Sequence, residues 1–310
     1  MNIARTTEEI KKYALCQAGM DKVGIAGVDR FNESPEGFHP EDILPGCKSV
    51  IVFCIRVPDG AVQSIFRAYE KGMRHLHGIY GTYGYTIAPN YHLMFGSYKI
   101  SQFVEKITGC IATPNAAGPM QGSKQISMRH AAVAAGLGEF GWSSIVLTPE
   151  FGPRNRFGAV LTTAELEPDP LYNGPKLCDP TKCRVCEKMC LGRAIPAYDK
   201  NQSRKITIGD KNIEYSQINW NKCRVYCHGM RKSVASDYDF VPVSMDNPTD
   251  FDLMEPLKKL VVLGASHDSP QVSPTWKCGN CLAYCPVGNW KERFYDTGLT
   301  NINIEKFIEK

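Results

Sequence analysis

Hydrophobic residues recur along the first half of the chain with two different periods. Over residues 5–18 they return every three or four positions, with Ile10, Tyr13, Ala14 and Gln17 near one face, which predicts an amphipathic helix. "KVGIAGV" (22–28) and "SVIVFCIRV" (49–57) are continuous β-branched runs, the pattern of short strands buried on both faces. Residues 92–108 return to helical spacing through Leu93, Phe95, Tyr98, Ile100, Phe103, Val104 and Ile107. "SMRHAAVAAG" is Ala-rich and predicts a helix capped by Gly136. "SIVLTPEFG" and "FGAVLTTAEL" then read as a strand pair. This succession predicts an α/β domain over residues 1–170. The link "LEPDPLYNGPKL" (166–177) carries Pro and Gly and predicts a boundary, with a loop-rich second domain over 171–310. There "IGDKNIEY" predicts a turn or hairpin and "FDLMEPLKKLVVLGAS" (251–266) the clearest helix. Weak periodicity elsewhere in that half suits a region ordered partly by metal.

Composition narrows the class. Of 310 residues 43% are apolar and 22% charged, as in an ordinary globular protein, and the net charge of +4 is scattered. With no block of like charges, nucleic acid is not an expected partner. No apolar run approaches the roughly 18 residues that span a bilayer, and the N-terminus shows no apolar signal core. The expected location is the cytoplasm, with no membrane partner.

Thirteen cysteines change the picture. A reducing compartment argues against a disulfide framework. Cys16, Cys47, Cys54 and Cys110 lie singly in the first half and read as small buried hydrophobes. The other nine fall between Cys178 and Cys285. One run is Cys178-x4-Cys183-x2-Cys186-x3-Cys190; another is Cys278-x2-Cys281-x3-Cys285-Pro286, preceded by Cys223 and Cys227. Structural zinc draws two ligands from each of two short knuckles, whereas these runs offer three or four thiols together. The x2 and x3 intervals match the bacterial ferredoxin run, whose fourth cysteine crosses to the neighbouring cluster. By that crossing, Cys178, Cys183, Cys186 and Cys285 hold one [4Fe–4S] cluster. Cys190, Cys278, Cys281 and either Cys223 or Cys227 hold the other, with the remaining thiol a spare or a replacement ligand. The first interval is longer than the ferredoxin one, and Leu191 stands where proline is usual.

"AAVAAGLGEFGWSSIVLTPEFGPRNRFGAVLTTAELEPD" (131–169), followed by the two cysteine runs, resembles the cobalamin-dependent reductive dehalogenases and their relatives the epoxyqueuosine reductases. "GFHPEDILPGCKSVIVFCIRVP" (37–58) is similar to the early segment of the same families. The resemblance implies a nitroreductase-like corrinoid-binding domain followed by a ferredoxin-like domain with two [4Fe–4S] clusters. It implies an oxidoreductase in which electrons pass through the clusters to a corrinoid that reduces a small substrate. It also favours Cys223 as the eighth ligand, because Lys222, Cys223 and Tyr226 match a family pattern.

A corrin ring needs backbone that approaches closely, and Ala135, Gly136, Leu137, Gly138 and Gly141 supply it in "AGLGEFG". Trp142 occupies the families' basic position, and Arg154 and Arg156 in "GPRNR" are candidates for cofactor amides or an anionic substrate. No carboxylate lies near Gly122, where epoxyqueuosine reductases carry an acid, so queuosine chemistry is not expected. Proton donors are sought in the tyrosine-rich segment 75–98, at Tyr80, Tyr83, Tyr85, Tyr91 or His92. A reduced ferredoxin or flavodoxin is the expected donor, docking by Lys277, Lys291 and Arg293. The alternative is a corrinoid-free protein that passes electrons to a partner.

Overall fold

The computed structural model describes residues 2–72, 76–116, 126–227, 230, 243, 245–262 and 278–288. Gly122, Lys277, Lys291 and Arg293 lie outside the described residues.

The chain opens with helix α1 (Ile3–Cys16) and strand β1 (Lys22–Gly27), followed by the short α2 (Pro40–Ile43), β2 (Ser49–Arg56) and α3 (Asp59–Lys71). A turn of helix α4 (His77–Tyr80) and a π-turn over Gly81–Tyr85 lead into α5 (Ile87–Thr108), β3 (Ala112–Ala116) and α6 (Met128–Ala134). Then come β4 (Glu139–Phe140), β5 (Val146–Leu147) and β6 (Asn155–Thr162). The cysteine-rich half holds α7 (Val185–Lys188), the hairpin β7 (Ser203–Ile208) and β8 (Lys211–Ser216), α8 (Trp220–Cys227), α9 (Asp250–Val262) and α10 (Asn280–Ala283).

Four strands form an antiparallel sheet in the order β1-β2-β6-β3. β2 is central, and its side chains alternate between two cores. Ile51, Phe53 and Ile55 face Ile10 and Ala14 of α1 and Leu93, Ile100 and Val104 of α5. Val50, Val52 and Cys54 face Ala131–Ala134 of α6. Both faces are covered, which is why the run reads as continuously apolar.

One sequence expectation is corrected. "SIVLTPEFG" and "FGAVLTTAEL" do not pair with each other: β5 pairs with β4, while β6 inserts between β2 and β3. Cys47 and Cys54 are buried as expected, Cys110 is half-buried, and Cys16 is exposed.

The two halves of the chain share cores. Val62, Ile65, Phe66 and Tyr69 of α3, with Tyr80, pack against Leu191, Val225, Tyr226, Leu282 and Tyr284. The hairpin adds Ile208 and Tyr215 to the α6 core. Through these contacts the cysteine region is laid against the α/β sheet.

Candidate metal centres and the cavity beside them

The nine C-terminal-half thiols gather in two groups, with Cys178, Cys183, Cys186 and Cys285 in one and Cys190, Cys223, Cys227, Cys278 and Cys281 in the other. Cys186 is pushed up to about 12 by burial and then by its neighbours Cys178, Cys285 and Cys183. Cys285, although it belongs to the second run, is raised to about 11 by burial, with Cys178 and Cys183 adding to the effect. These four line one small cavity of about 60 Å³, closed by Gly141, Trp142, Leu147 and Val287. Elsewhere, burial holds the Cys223 thiol well above its usual range, with Cys227, Cys281 and Cys190 next in effect. Cys278 is raised by burial and by Cys190, Cys227 and Cys223. Cys281 responds to burial, then to Cys278, Cys190, Cys186 and Cys227, so the two sets adjoin.

Thiols so placed oppose one another's ionisation, and cations among them offset that cost. The donor set therefore fits two iron–sulfur clusters. A tetrahedral zinc with bonds of about 2.3 Å would clench four sulfurs round a point. Among the described residues, no three His, Cys, Asp or Glu side chains converge to hold a single ion. Cys178, Cys183, Cys186 and Cys285 line a small cavity instead.

Several bonds fix this arrangement. The Asn280 side-chain amide, between Cys278 and Cys281, donates to Met189 O at 3.1 Å and ties the second run to the first. Its carbonyl oxygen accepts from the buried Tyr69 hydroxyl at 2.8 Å. The backbone N–H of Trp142 donates to Cys178 Sγ at 3.3 Å, and that of Ala194 to Cys190 Sγ at 3.2 Å. Glu139 Oε1 accepts the N–H groups of Leu177 and Cys178. These partners were not legible in the sequence, because backbone N–H groups and a lone Asn leave no spacing signature.

The arginines separate in role. Arg154 is buried, and its guanidinium donates to the carbonyls of Leu282, Cys285 and Val287. Rather than facing open space, it anchors the loop that carries Cys285. Arg156 is half-buried, donates to Asn90 Oδ1 at 3.1 Å, and lies 4.8 Å over the Tyr85 ring.

The candidate proton donors also separate. Tyr80 is buried in the core beside Cys281, which together with burial raises its phenol far above the usual value. Tyr85 is held up first by Cys227 and then by burial, with Arg156 opposing. Tyr83 is exposed, Tyr91 stacks loosely on Phe95, and the exposed His92 lies against Gly19. The structure thus brings Tyr80 and Tyr85 to the second thiol set, with Arg156 over the Tyr85 ring.

The glycine loop is filled from within the chain. Gly136 has φ +72°, and a Cβ there would strike the carbonyl of Pro170. A Cβ on Gly138 would strike the carbonyl of Leu147, and one on Gly141 the Leu147 side chain. Ala135 and Leu137 are buried, as is Trp142, whose Nε1 donates to Pro196 O at 2.8 Å and whose ring meets Tyr198 edge-on. At Gly136 and Gly138 the close approach that demands glycine is to protein backbone.

Two larger cavities are lined by described residues. One of about 270 Å³ lies beside Trp142, Tyr198, Lys176, Lys211 and Cys178. Another of about 410 Å³ is lined by Arg30, Phe38, Arg129, His130 and Ile206.

No protein-family model matches the chain. In sequence it is similar to the tetrachloroethene reductive dehalogenase of Desulfitobacterium hafniense, 30% identical over 189 residues. That match covers 58% of this chain and 28% of the dehalogenase. In structure it is similar to the epoxyqueuosine reductase of Streptococcus thermophilus, with TM-score 0.52, 17% identity, and 93% of this chain against 66% of that one. It is also similar to a reductive dehalogenase described as B12-dependent, with TM-score 0.50, 19% identity, and 73% of this chain against 30% of the other. The chain thus spans under a third of the dehalogenases and about two thirds of the queuosine-type enzyme. The expected resemblance is met in sequence and in a shared mixed α/β fold, and the proteins resembled are reductases. Among the described residues no helix is long and apolar enough to cross a membrane.

Proposed function

We propose that this protein is an iron–sulfur oxidoreductase that carries electrons through two [4Fe–4S] clusters to a bound acceptor. The observation that carries the reading is the crossed gathering of thiols, with Cys285 among Cys178, Cys183 and Cys186. When bound, the clusters supply one-electron relays. The chain's own part is to hold them near one another, donate N–H groups to Cys178 and Cys190, and exclude water by packing α3, α8 and α10 around them. N–H···S bonds favour the more negative, reduced state and so raise the potential. At the second set, Arg156 offers a cation and Tyr85 a protonated phenol, the pair that a substrate leaving as an anion requires.

The finer reading makes a corrinoid the acceptor and a small molecule the substrate, in keeping with the resemblance to a B12-dependent dehalogenase. A second reading, a corrinoid-free electron-transfer protein, is favoured by the glycine loop packing on its own backbone. Gel filtration of the reconstituted protein with hydroxocobalamin separates them. Stoichiometric retention supports the corrinoid reading. Loss of all cobalamin, with iron retained, supports the second.

A further inference from the structure

No cysteine is among the residues that line the cavity of about 410 Å³. One wall is the turn Val28–Phe31 that follows β1, with the loop on to Phe38; the others are the first turn of α6 and the end of β7. Gly27, the last residue of β1, pairs with Ser49 at the start of β2, whereas Arg156 pairs with Ile55 near its other end. From Ser49 to Ile55 a strand rises roughly 20 Å, so Arg30 and Arg156 belong to opposite ends of the sheet.

The lining joins two chemistries. Phe31, Phe38, Ile206 and Ile208 supply apolar surface, and Phe38 is 43% exposed. Arg30 and Arg129, both half-buried, bring positive charge. Arg30 donates from Nη1 to the carbonyls of Ala134 and Asp169 at 2.6 and 2.7 Å. Arg129 donates from Nη1 to Ser144 O at 2.7 Å and lies 5.2 Å over the Trp220 ring. These partners hold the side chains in place but carry no charge, and among the described residues neither guanidinium pairs with a carboxylate. Glu33, the one carboxylate of the lining, accepts the Thr207 N–H at 2.7 Å. A guanidinium has five N–H donors in a fork that matches a carboxylate, and only Nη1 of each arginine is engaged here. Apolar walls with a few placed polar groups, in a volume of this size, are the make-up of a small-molecule site. We propose that this cavity binds a small organic anion, an aryl or short-chain carboxylate whose apolar body lies on the Phe and Ile side chains and whose charge is met by the two arginines. The site needs neither cluster and lies apart from the Tyr85–Arg156 pair.

Isothermal titration calorimetry of the reconstituted protein tests this, with naphthoate and its neutral isostere naphthamide as probes. The expected result is one-to-one binding of naphthoate, about tenfold or more tighter than naphthamide. Thr207→Glu, at an exposed position of the lining, adds a carboxylate there and should weaken naphthoate about tenfold while leaving naphthamide as it was. Arg129→Gln should do the same; where it fails to fold, Thr207→Glu still decides. Phe38→Ala should weaken both probes, and Phe95→Ala, which removes an exposed ring from α5, should weaken neither. No binding by wild type, equal affinity for the two probes, or a naphthoate affinity unchanged in Thr207→Glu would each overturn the proposal. So would an equal loss in Phe95→Ala. None of these outcomes bears on the clusters, which iron content reports separately.

Discussion

Trp142 donates its backbone N–H to the thiol of Cys178 while its indole N–H is held by the carbonyl of Pro196. The side chain thus fixes the position of a backbone donor aimed at a thiol of the first cysteine run. Trp142→Phe keeps a ring in the buried site and loses the indole bond, at a cost of about 1 kcal/mol, with iron content unchanged. Trp142→Ala opens a cavity and should cost roughly 3–5 kcal/mol. It should also shift the potential of the first cubane by loosening the N–H···S bond. Denaturant unfolding and redox titration of both variants check this; equal stability of the two would contradict it.

Arg154 joins the two halves of the chain through three backbone carbonyls after Cys281, those of Leu282 in α10 and of Cys285 and Val287 beyond it. Arg154→Met leaves those buried acceptors without their donor, at about 1–3 kcal/mol each before relaxation. The expected outcome is destabilisation by roughly 3 kcal/mol or more and loss of the first cubane through displacement of Cys285. Retention of all irons with unchanged unfolding would assign Arg154 no such role.

His130 supplies a pH dependence. Its Nδ1 lies 2.6 Å from Ser127 Oγ and its Nε2 3.0 Å from the Tyr215 hydroxyl. Burial, then the positive charges of Arg129 and Arg204, lower it to about 4 from 6.5. The native state therefore favours the neutral ring, and the unfolded chain binds the extra proton first. The stabilisation is complete above pH 6.5 and is lost as pH falls from there toward 4, by roughly 2–3 kcal/mol. His130→Gln should flatten that portion of the stability curve relative to wild type; parallel curves would contradict the assignment.

Local pattern made β1, β2, α1, α6 and the β7–β8 hairpin legible, because each has a period or a turn of its own. The strand β6 was legible but its partners were not, since pairing with both β2 and β3 depends on contacts far apart in the chain. The grouping of the cysteines was legible because metal chemistry fixes ligand spacing, and Cys285 lies with Cys178, Cys183 and Cys186. Gly136 and Gly138 were legible as positions of close approach. What approaches them is the carbonyls of Pro170 and Leu147, whose positions no local pattern reveals. Tyr85 stood among several donors of equal appearance, and only its placement beside Cys227 and Arg156 distinguishes it.

The account turns on the crossed assignment of cysteines, and iron counting in paired variants tests it most directly. Wild type should take up about eight irons and eight sulfides, and Cys285→Ala about four of each. Adding Cys183→Ala, from the other run but the same cubane, should leave that count at about four. Adding Cys281→Ala instead, from the same run but the other cubane, should bring it to about zero. A Cys183/Cys285 double variant without iron, beside a Cys281/Cys285 variant that keeps about four, would assign each run its own cluster and contradict the structure's pairing of the thiols.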